Sequence, residues 1–272
     1  MARDDTLHSE SLTGRSIVSL SGDAGEQEAF LQSLVTNDVA RAGPDRLVYA
    51  ALLTPQGKYL SDFLVWRTED GDFRLDIATA LAGDLVKRLS MYRLRRPIRI
   101  SEVSAEVTAF WGADPGAGLS DPRHSDLGWR AYGPVGIDAE PGDYDLHRLK
   151  LGIPESATDL VVNDSYILEA DFERLKGVDF RKGCYVGQEI VARMKFRTEL
   201  RKGLRPVIVA GTAPPMTPLQ TPEGKPAGIL HSNRDGYGLA HLRFDRAGSA
   251  MIDADGTVEV ELPSQFDLHD KK

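Results

Sequence analysis

One cysteine, Cys184, is all the thiol this 272-residue chain has. A single thiol forms no internal disulfide, so nothing in the sequence asks for an oxidising compartment. No apolar run approaches the ~20 residues of a membrane span. The stretch Met1–Gly14 carries Asp4, Asp5 and Glu10 and lacks the apolar core of a secretory signal. These absences lead to the expectation of a cytoplasmic protein with no membrane partner; a processed organellar protein would have the same composition. No GxSxG, P-loop or GxGxxG pattern occurs, which leaves a serine hydrolase or a nucleotide-binding enzyme without local support. None of His8, His124, His147, His231, His241 and His269 falls in an HExxH or zinc-finger spacing. His124 or His147 would complete a Cys–His hydrolase only if folding brought one of them to the thiol. An excess of positive charge is also missing. The net charge of −8 argues against a broad nucleic-acid surface.

What is present is an ordinary globular composition, long enough for two or three compact units. Asp23 and Glu26 form a capping box ahead of a helix over Ala24–Val35. Leu47–Leu53, Tyr59–Arg67, Phe73–Ile77 and Val107–Trp111 read as strands. Leu81, Leu85, Leu89 and Tyr92 share a helical face that Pro97 stops. Ala113–Arg123 has the composition of an exposed loop. After Gly203 the chain turns to short β-rich pieces: Leu204–Val209, Gly228–His231, Gly238–Leu242 and Thr257–Leu262. Close spacing of short strands predicts a small barrel. Two units follow, residues 1–202 and 203–272, with Asp267–Lys272 as a free tail.

Charge is unevenly spread. Lys87–Arg99 holds six basic residues and no acidic one, and Arg181–Arg205 holds eight basic against two acidic. On an acidic chain, each is a candidate anion site or a solvated face.

The cysteine lies in Lys182-Gly183-Cys184-Tyr185-Val186-Gly187-Gln188-Glu189. Val186, Ile190, Val191 and Met194 follow with helical spacing. A thiol at a helix N-terminus beside Arg181 and Lys182 has its thiolate favoured, and the thiolate is the form that attacks electrophiles and ligates metals.

Lys-Gly-Cys-aromatic-x-Gly-Gln-Glu resembles the signature of the YgfZ family. These are folate-binding, iron–sulfur-maturation relatives of the glycine cleavage system T-protein. Leu34-Val35-Thr36-Asn37-Asp38-Val39, Leu53-Thr54-Pro55-Gln56-Gly57-Lys58, and Arg148 with Gly152-Ile153-Pro154 agree with it in order. The resemblance implies an α+β body of two interleaved units around a central cavity, followed by a C-terminal barrel. It further implies tetrahydrofolate or a related folate as cofactor. Asp62, Glu169, Arg95, Arg96, Lys182, Gln188, Glu189 and Arg193 are then the expected folate-site residues. Glu169 resembles the glutamate that meets the pterin, and a carboxylate suits an aminopyrimidine edge. The basic segments would meet a glutamate tail.

One departure from the T-protein pattern matters. T-proteins carry two adjacent aspartates where this chain has Ser61-Asp62, so aminomethyl transfer loses a carboxylate. The expected role is a folate-dependent accessory factor in iron–sulfur cluster assembly or repair. Cys184 is its reactive or ligating group, with a cluster shared transiently with a carrier protein and passed to client iron–sulfur enzymes. One cysteine cannot make a cysteine-only cluster site alone. The alternatives are a folate-dependent one-carbon transferase and an RNA-binding or tRNA-modification accessory protein. The missing aspartate counts against the first and net acidity against the second.

Overall fold

The computed structural model describes residues 6–247 and 250–263. In chain order the strands of the body are β1 (Leu7–Ser11), β2 (Arg15–Gly22), β3 (Val48–Leu53), β4 (Tyr59–Arg67), β5 (Phe73–Ala78), β6 (Ile98–Val103), β7 (Val107–Gly112), β8 (Leu119–Ser120), β9 (Trp129–Tyr132) and β10 (Glu140–Pro141). Helices α1 (Ala24–Gln32), α2 (Thr79–Arg93), α3 (Tyr144–Lys150) and α4 (Gln188–Arg197) complete it. The chain starts in one sheet, of order β10-β1-β7-β9-β8. It crosses at Leu12–Gly14 into a second, of order β3-β4-β5-β2-β6, and then returns to the first. Two interleaved α+β units result, as expected.

Local chemistry explains the second sheet. Asp23 caps α1 by accepting the Glu26 backbone N–H at 2.9 Å. Ala82, Leu85 and Leu89 of α2, at spacings of three and four, are buried on one face of the sheet. Strand β4 is buried almost throughout because apolar clusters cover both of its faces. The helix ends at Arg93, four residues before Pro97, where Leu94 takes a positive φ of 52°.

The interior between the sheets is charged. Arg15 of β2 meets Asp76 of β5 at 2.6 Å and Glu155 at 3.0 Å. Arg130 of β9 reaches Asp76 at 3.0 Å, Asp121 at 3.3 Å and the Tyr144 hydroxyl at 2.9 Å. Arg123 binds Asp121 through two nitrogens, at 3.0 and 2.7 Å. Burial pushes Asp121 upward, but Arg123 and Arg130 overcome it and hold the carboxyl at about 2. Asp76 and Glu155 are held low in the same way, chiefly by Arg15. Each guanidinium has its carboxylate, which is how buried charge is tolerated. The stretch Ala113–Arg123, expected as exposed loop, thus sends Asp121 and Arg123 into the core.

Strands β11 (Lys202–Ala210), β12 (Thr217–Gln220), β13 (Pro226–Arg234), β14 (Tyr237–Arg243), β15 (Met251–Ile252) and β16 (Glu259–Glu261) form the closed barrel β11-β14-β13-β12-β15-β16. Closure removes the exposed edges a short sheet would otherwise present. The barrel is fastened to the body by Ser232 on Asp159 at 2.5 Å, Arg234 on Asp143 at 2.6 Å and the Leu204 N–H on the Glu169 carbonyl at 2.7 Å. The expected tail Asp267–Lys272 lies outside the described residues.

Candidate functional site around Cys184

Three motifs that are far apart in the sequence meet at the cysteine loop. Lys182 is buried, 9% exposed, and its ammonium donates to the carbonyls of Gln32, Val35 and Asn37 at 3.0, 2.5 and 2.9 Å. These carbonyls belong to the end of α1 and the Thr36-Asn37-Asp38 turn, so one side chain ties that turn to the root of the loop. Burial pulls the Lys182 ammonium down to about 8, against Asp38 and Asp179, which hold it up. Tyr185 is buried with its ring 5.3 Å from the ammonium. Asn37 braces the same turn, donating to the carbonyls of Tyr49 at 2.8 Å and Lys176 at 2.7 Å. Thr36 donates to Gly177 O at 2.6 Å and accepts from the Ala51 N–H at 2.9 Å.

On the other side, the loop docks on the Thr54–Lys58 turn. Gly187 (φ +85°) lies so close that a Cβ would sit 2.7 Å from Thr54 O and 3.2 Å from the Gly57 Cα. Gly57 (φ +72°) is as tight, its Cβ position 2.8 Å from Ile190 Cβ. Two glycines facing each other let backbone cross backbone, which side chains would forbid. Pinned at Lys182 and at Gly187, the segment between them leaves Cys184 exposed at the surface.

Helix α4 begins at Gln188, with Gly187 as its N-cap, so Cys184 stands outside the first turn where a helix N-terminus would act on it. The expectation of a thiol opening the helix is corrected accordingly. Neither His124 nor His147 makes a contact with it: His147 binds the Asp126 carbonyl at 2.9 Å and His124 caps the turn over Ser125–Leu127. Among the described residues no group of three or more His, Cys, Asp and Glu could hold a metal.

The expected folate set is not brought together. Lys182 spends its three N–H bonds on backbone and has none left for a ligand. Asp62 is buried and accepts from the hydroxyls of Tyr49, Tyr59 and Ser156 at 2.8, 2.6 and 2.6 Å. Burial and the Asp62 charge push both tyrosines well up, so these hydroxyls stay donors. Glu169 faces the barrel, with His241 Nε2 at 3.2 Å and Lys202 Nζ at 3.5 Å. Arg95 and Arg96 line a surface cleft beside Ser21, Gly22 and Arg99, and Arg96 pairs with Glu26 at 2.7 Å. Gln188 is half-buried at the start of α4, and Glu189 and Arg193 are exposed one turn apart on it. Only Lys182, Gln188, Glu189 and Arg193 stay near Cys184. Tyr185, Asn37, Thr36 and Asp179 were not singled out as site residues. The Thr-Asn-Asp phrase holds Thr36 and Asn37 and the cysteine motif holds Tyr185, while Asp179 lies in no motif.

A separate cleft of about 420 Å³ opens at the root of the loop. Leu47, Val48 and Tyr49 are among its lining residues, with Arg41, Arg46, Lys176 and Arg181 around them. Its two acids are engaged elsewhere, Asp179 by Arg41 at 2.5 Å and Glu173 by Lys195 at 2.5 Å. Among the described residues, Arg46, Lys176 and Arg181 have no carboxylate partner.

Comparison with known proteins places this geometry. Over 95% of its length the chain matches the glycine cleavage system aminomethyltransferase T of Bartonella henselae, covering 85% of that chain, with a TM-score of 0.73 and 13% identity. That likeness shows the fold. Residues 201–267 match the family described as CAF17, C-terminal beta-barrel domain. The chain is 31% identical to the mitochondrial iron–sulfur cluster assembly factor IBA57 of Mus musculus, over 86% of this chain and 77% of that one. Against the Homo sapiens protein of the same name the figures are 30%, 92% and 82%. A Mycosarcoma maydis homolog is 32% identical over 74% of this chain, which spans 57% of that relative's length. The expected cytoplasmic location is overturned by these relatives, which are mitochondrial proteins. The YgfZ resemblance stands in its broader form, a T-protein-like body with a C-terminal barrel. At this level of identity and coverage, the chain belongs to the family of the iron–sulfur cluster assembly factor IBA57.

Proposed function

We propose that this chain is an accessory factor in iron–sulfur cluster assembly that offers Cys184 as a single thiolate ligand to a cluster held jointly with another protein. The observation that carries the reading is the exposed thiol on a loop pinned at both ends, by Lys182 and by the Gly57–Gly187 crossing. A rigid, solvent-facing sulfur costs little to present to a partner, because its conformational freedom is already spent. Clusters take several thiolates, and this chain has one, so the cluster is cargo and the remaining ligands come from a carrier or client. The family membership supports the same role.

Asp62 favours this reading over aminomethyl transfer. Its carboxylate is spent on three hydroxyls, and strand alternation sends the neighbouring Ser61 to the opposite face. A folate fits the 420 Å³ cleft better than the scattered set expected from sequence. There a pterin would lie among the apolar residues and a glutamate tail would meet Arg46, Lys176 and Arg181. Calorimetric titration with tetrahydrofolate should then respond to Arg46→Glu and not to Arg96→Glu. The opposite pattern sinks the cleft assignment.

The main test is anaerobic. The chain is mixed with a purified carrier loaded with a [2Fe–2S] cluster, and visible absorption and circular dichroism are followed. A joint cluster should form with the wild type and fail with Cys184→Ser. A stable cluster on the isolated chain without added thiols would overturn the proposal.

A further inference from the structure

The second sheet ends, on the edge opposite the cysteine loop, in a patch that the proposed function does not use. The loop docks on the turn joining β3 and β4, and β6 lies four strands from β3 and three from β4, about 14–19 Å at ordinary strand spacing. At that edge α2 finishes in Met91-Tyr92-Arg93 and turns through Leu94-Arg95-Arg96. The Arg96 N–H bonds the Arg93 carbonyl at 3.1 Å, and Leu94 has φ 52° and ψ −113°. Those angles are the first inner position of a type II′ turn, where glycine is the residue of least strain. Here it is a leucine, and 82% of it is exposed. Met91 is 68% exposed and Tyr92 38%. A strained backbone that thrusts an apolar side chain into water gives the fold nothing in return. Such an outlier is a reason to look for function.

The surroundings state the chemistry. Arg93, Arg95, Arg96 and Arg99 line a cleft of about 410 Å³ together with Ser21 and Gly22. Arg93 is held on the Ile98 carbonyl at 2.6 Å and Arg96 on Glu26 at 2.7 Å. Among the described residues, Arg95 and Arg99 have no carboxylate. Strand β6 forms the cleft's wall, and in this sheet it pairs on one side only, with β2. Exposed methionine, tyrosine and leucine among arginines is the composition of a protein-binding centre, where arginine's planar fork takes carboxylates in pairs. The rest of the chain is acidic, at a net −8 overall, so a long polyanion or an anionic lipid surface would be repelled beyond the patch.

We propose that this patch docks an extended acidic segment of a partner protein, its carboxylates on Arg95 and Arg99 and its apolar side chains on Met91, Tyr92 and Leu94. The site is independent of Cys184, so its failure and the failure of the cluster reading are separable.

The probes are a short fluorescein-labelled peptide of glutamates and leucines, vesicles of phosphatidylglycerol with phosphatidylcholine, and a single-stranded RNA oligonucleotide. Binding to the full chain is read by anisotropy or sedimentation at several salt concentrations. The peptide should bind. Combined Arg95→Glu and Arg99→Glu should weaken it about tenfold or more, and Cys184→Ser should leave it unchanged. Leu94→Gly should raise the melting temperature by relaxing the turn and yet weaken the peptide, a split that a purely structural leucine would not give. Tighter binding to vesicles or RNA than to the peptide would overturn the proposal. So would absence of peptide binding, or peptide binding indifferent to these variants.

Discussion

Two basic stretches look alike in the sequence, and the fold puts them to opposite use. In Arg181–Arg205 the first lysine is driven inward to hold three carbonyls, and Lys195 and Lys202 pair with Glu173 and Glu169 of the body. Those three lysines are fastenings, and what they fasten is the cysteine loop and the barrel. In Lys87–Arg99 four of the six cations line an open cleft, and among the described residues Arg95 and Arg99 have no carboxylate partner there. A run of like charge therefore says little by itself. What matters is whether the chain supplies carbonyls and carboxylates to receive it. A third set, Arg15, Arg123, Arg130 and Arg148, forms no run at all and is the most deeply buried.

The sharpest way to break this contrast is Lys182→Met. Methionine fills similar space but strips donors from three carbonyls, two of the bonds being buried. We expect a loss of about 3 kcal/mol, which is roughly 6–12 °C in melting temperature for a chain of this size. Scanning calorimetry reads it, and proteolysis should cut first near residues 181–187. A melting point within a degree of wild type would mean that the lysine does not fasten the loop.

The interior set makes a different prediction, in pH. Asp76, Asp121 and Glu155 are held below their ordinary values by arginines. Groups held low contribute stability that is complete above their unfolded values near 4 and is lost as pH falls through the folded value. For Asp121 that lower limit is about 2. Its share is about 2 kcal/mol, lost between roughly pH 4 and pH 2. Urea titrations across that window should show the loss, and Asp121→Asn should flatten it.

Gly187→Ala comes next. The new Cβ would meet the Thr54 carbonyl at 2.7 Å with φ at +85°, so both space and backbone object. We expect a cost of about 1–3 kcal/mol. Cluster sharing should fall further than stability does, because the displaced element is the one that carries Cys184.

How much of this was legible beforehand follows from the physics of each region. The period-two and period-3.6 patterns of β4 and α2, and the Asp23 cap, are local, and the sequence carried them. The barrel showed itself through short strands at close spacing. The first two strands, β1 and β2, were missed because Leu7–Ser11 and Arg15–Gly22 are partly polar and take their pairing from distant strands β7 and β5. The cysteine motif stood out, but its helix was placed one turn early, since Gly187 is the cap and not a flanking residue. The expected folate residues lie apart in the fold for another reason. Asp62, Glu169 and Lys182 are chemically apt, and only the folded chain shows that each is already engaged by hydroxyls, by a histidine and a lysine of the barrel, or by backbone.

The smallest effect gives the most direct measure of the contrast between the two stretches. Arg95 lies in the open cleft and Arg193 is exposed on α4, and neither has a carboxylate partner among the described residues. Alanine at either position removes a solvated charge and breaks no bond that holds the fold, so each should change stability by less than about 0.5 kcal/mol. The two should part company in function. Arg193 lies in the second turn of α4, the helix that follows the Cys184 loop, and Arg193→Ala should slow formation of a joint cluster at low salt while the difference fades at high salt, as expected of a charge that steers a partner. Arg95→Ala should leave that rate alone, because its cleft lies at the other edge of the sheet. Stopped-flow absorbance at two ionic strengths distinguishes them. Equal slowing by both would mean that one partner covers both edges, and the division between a fastened stretch and an open one would then concern stability alone.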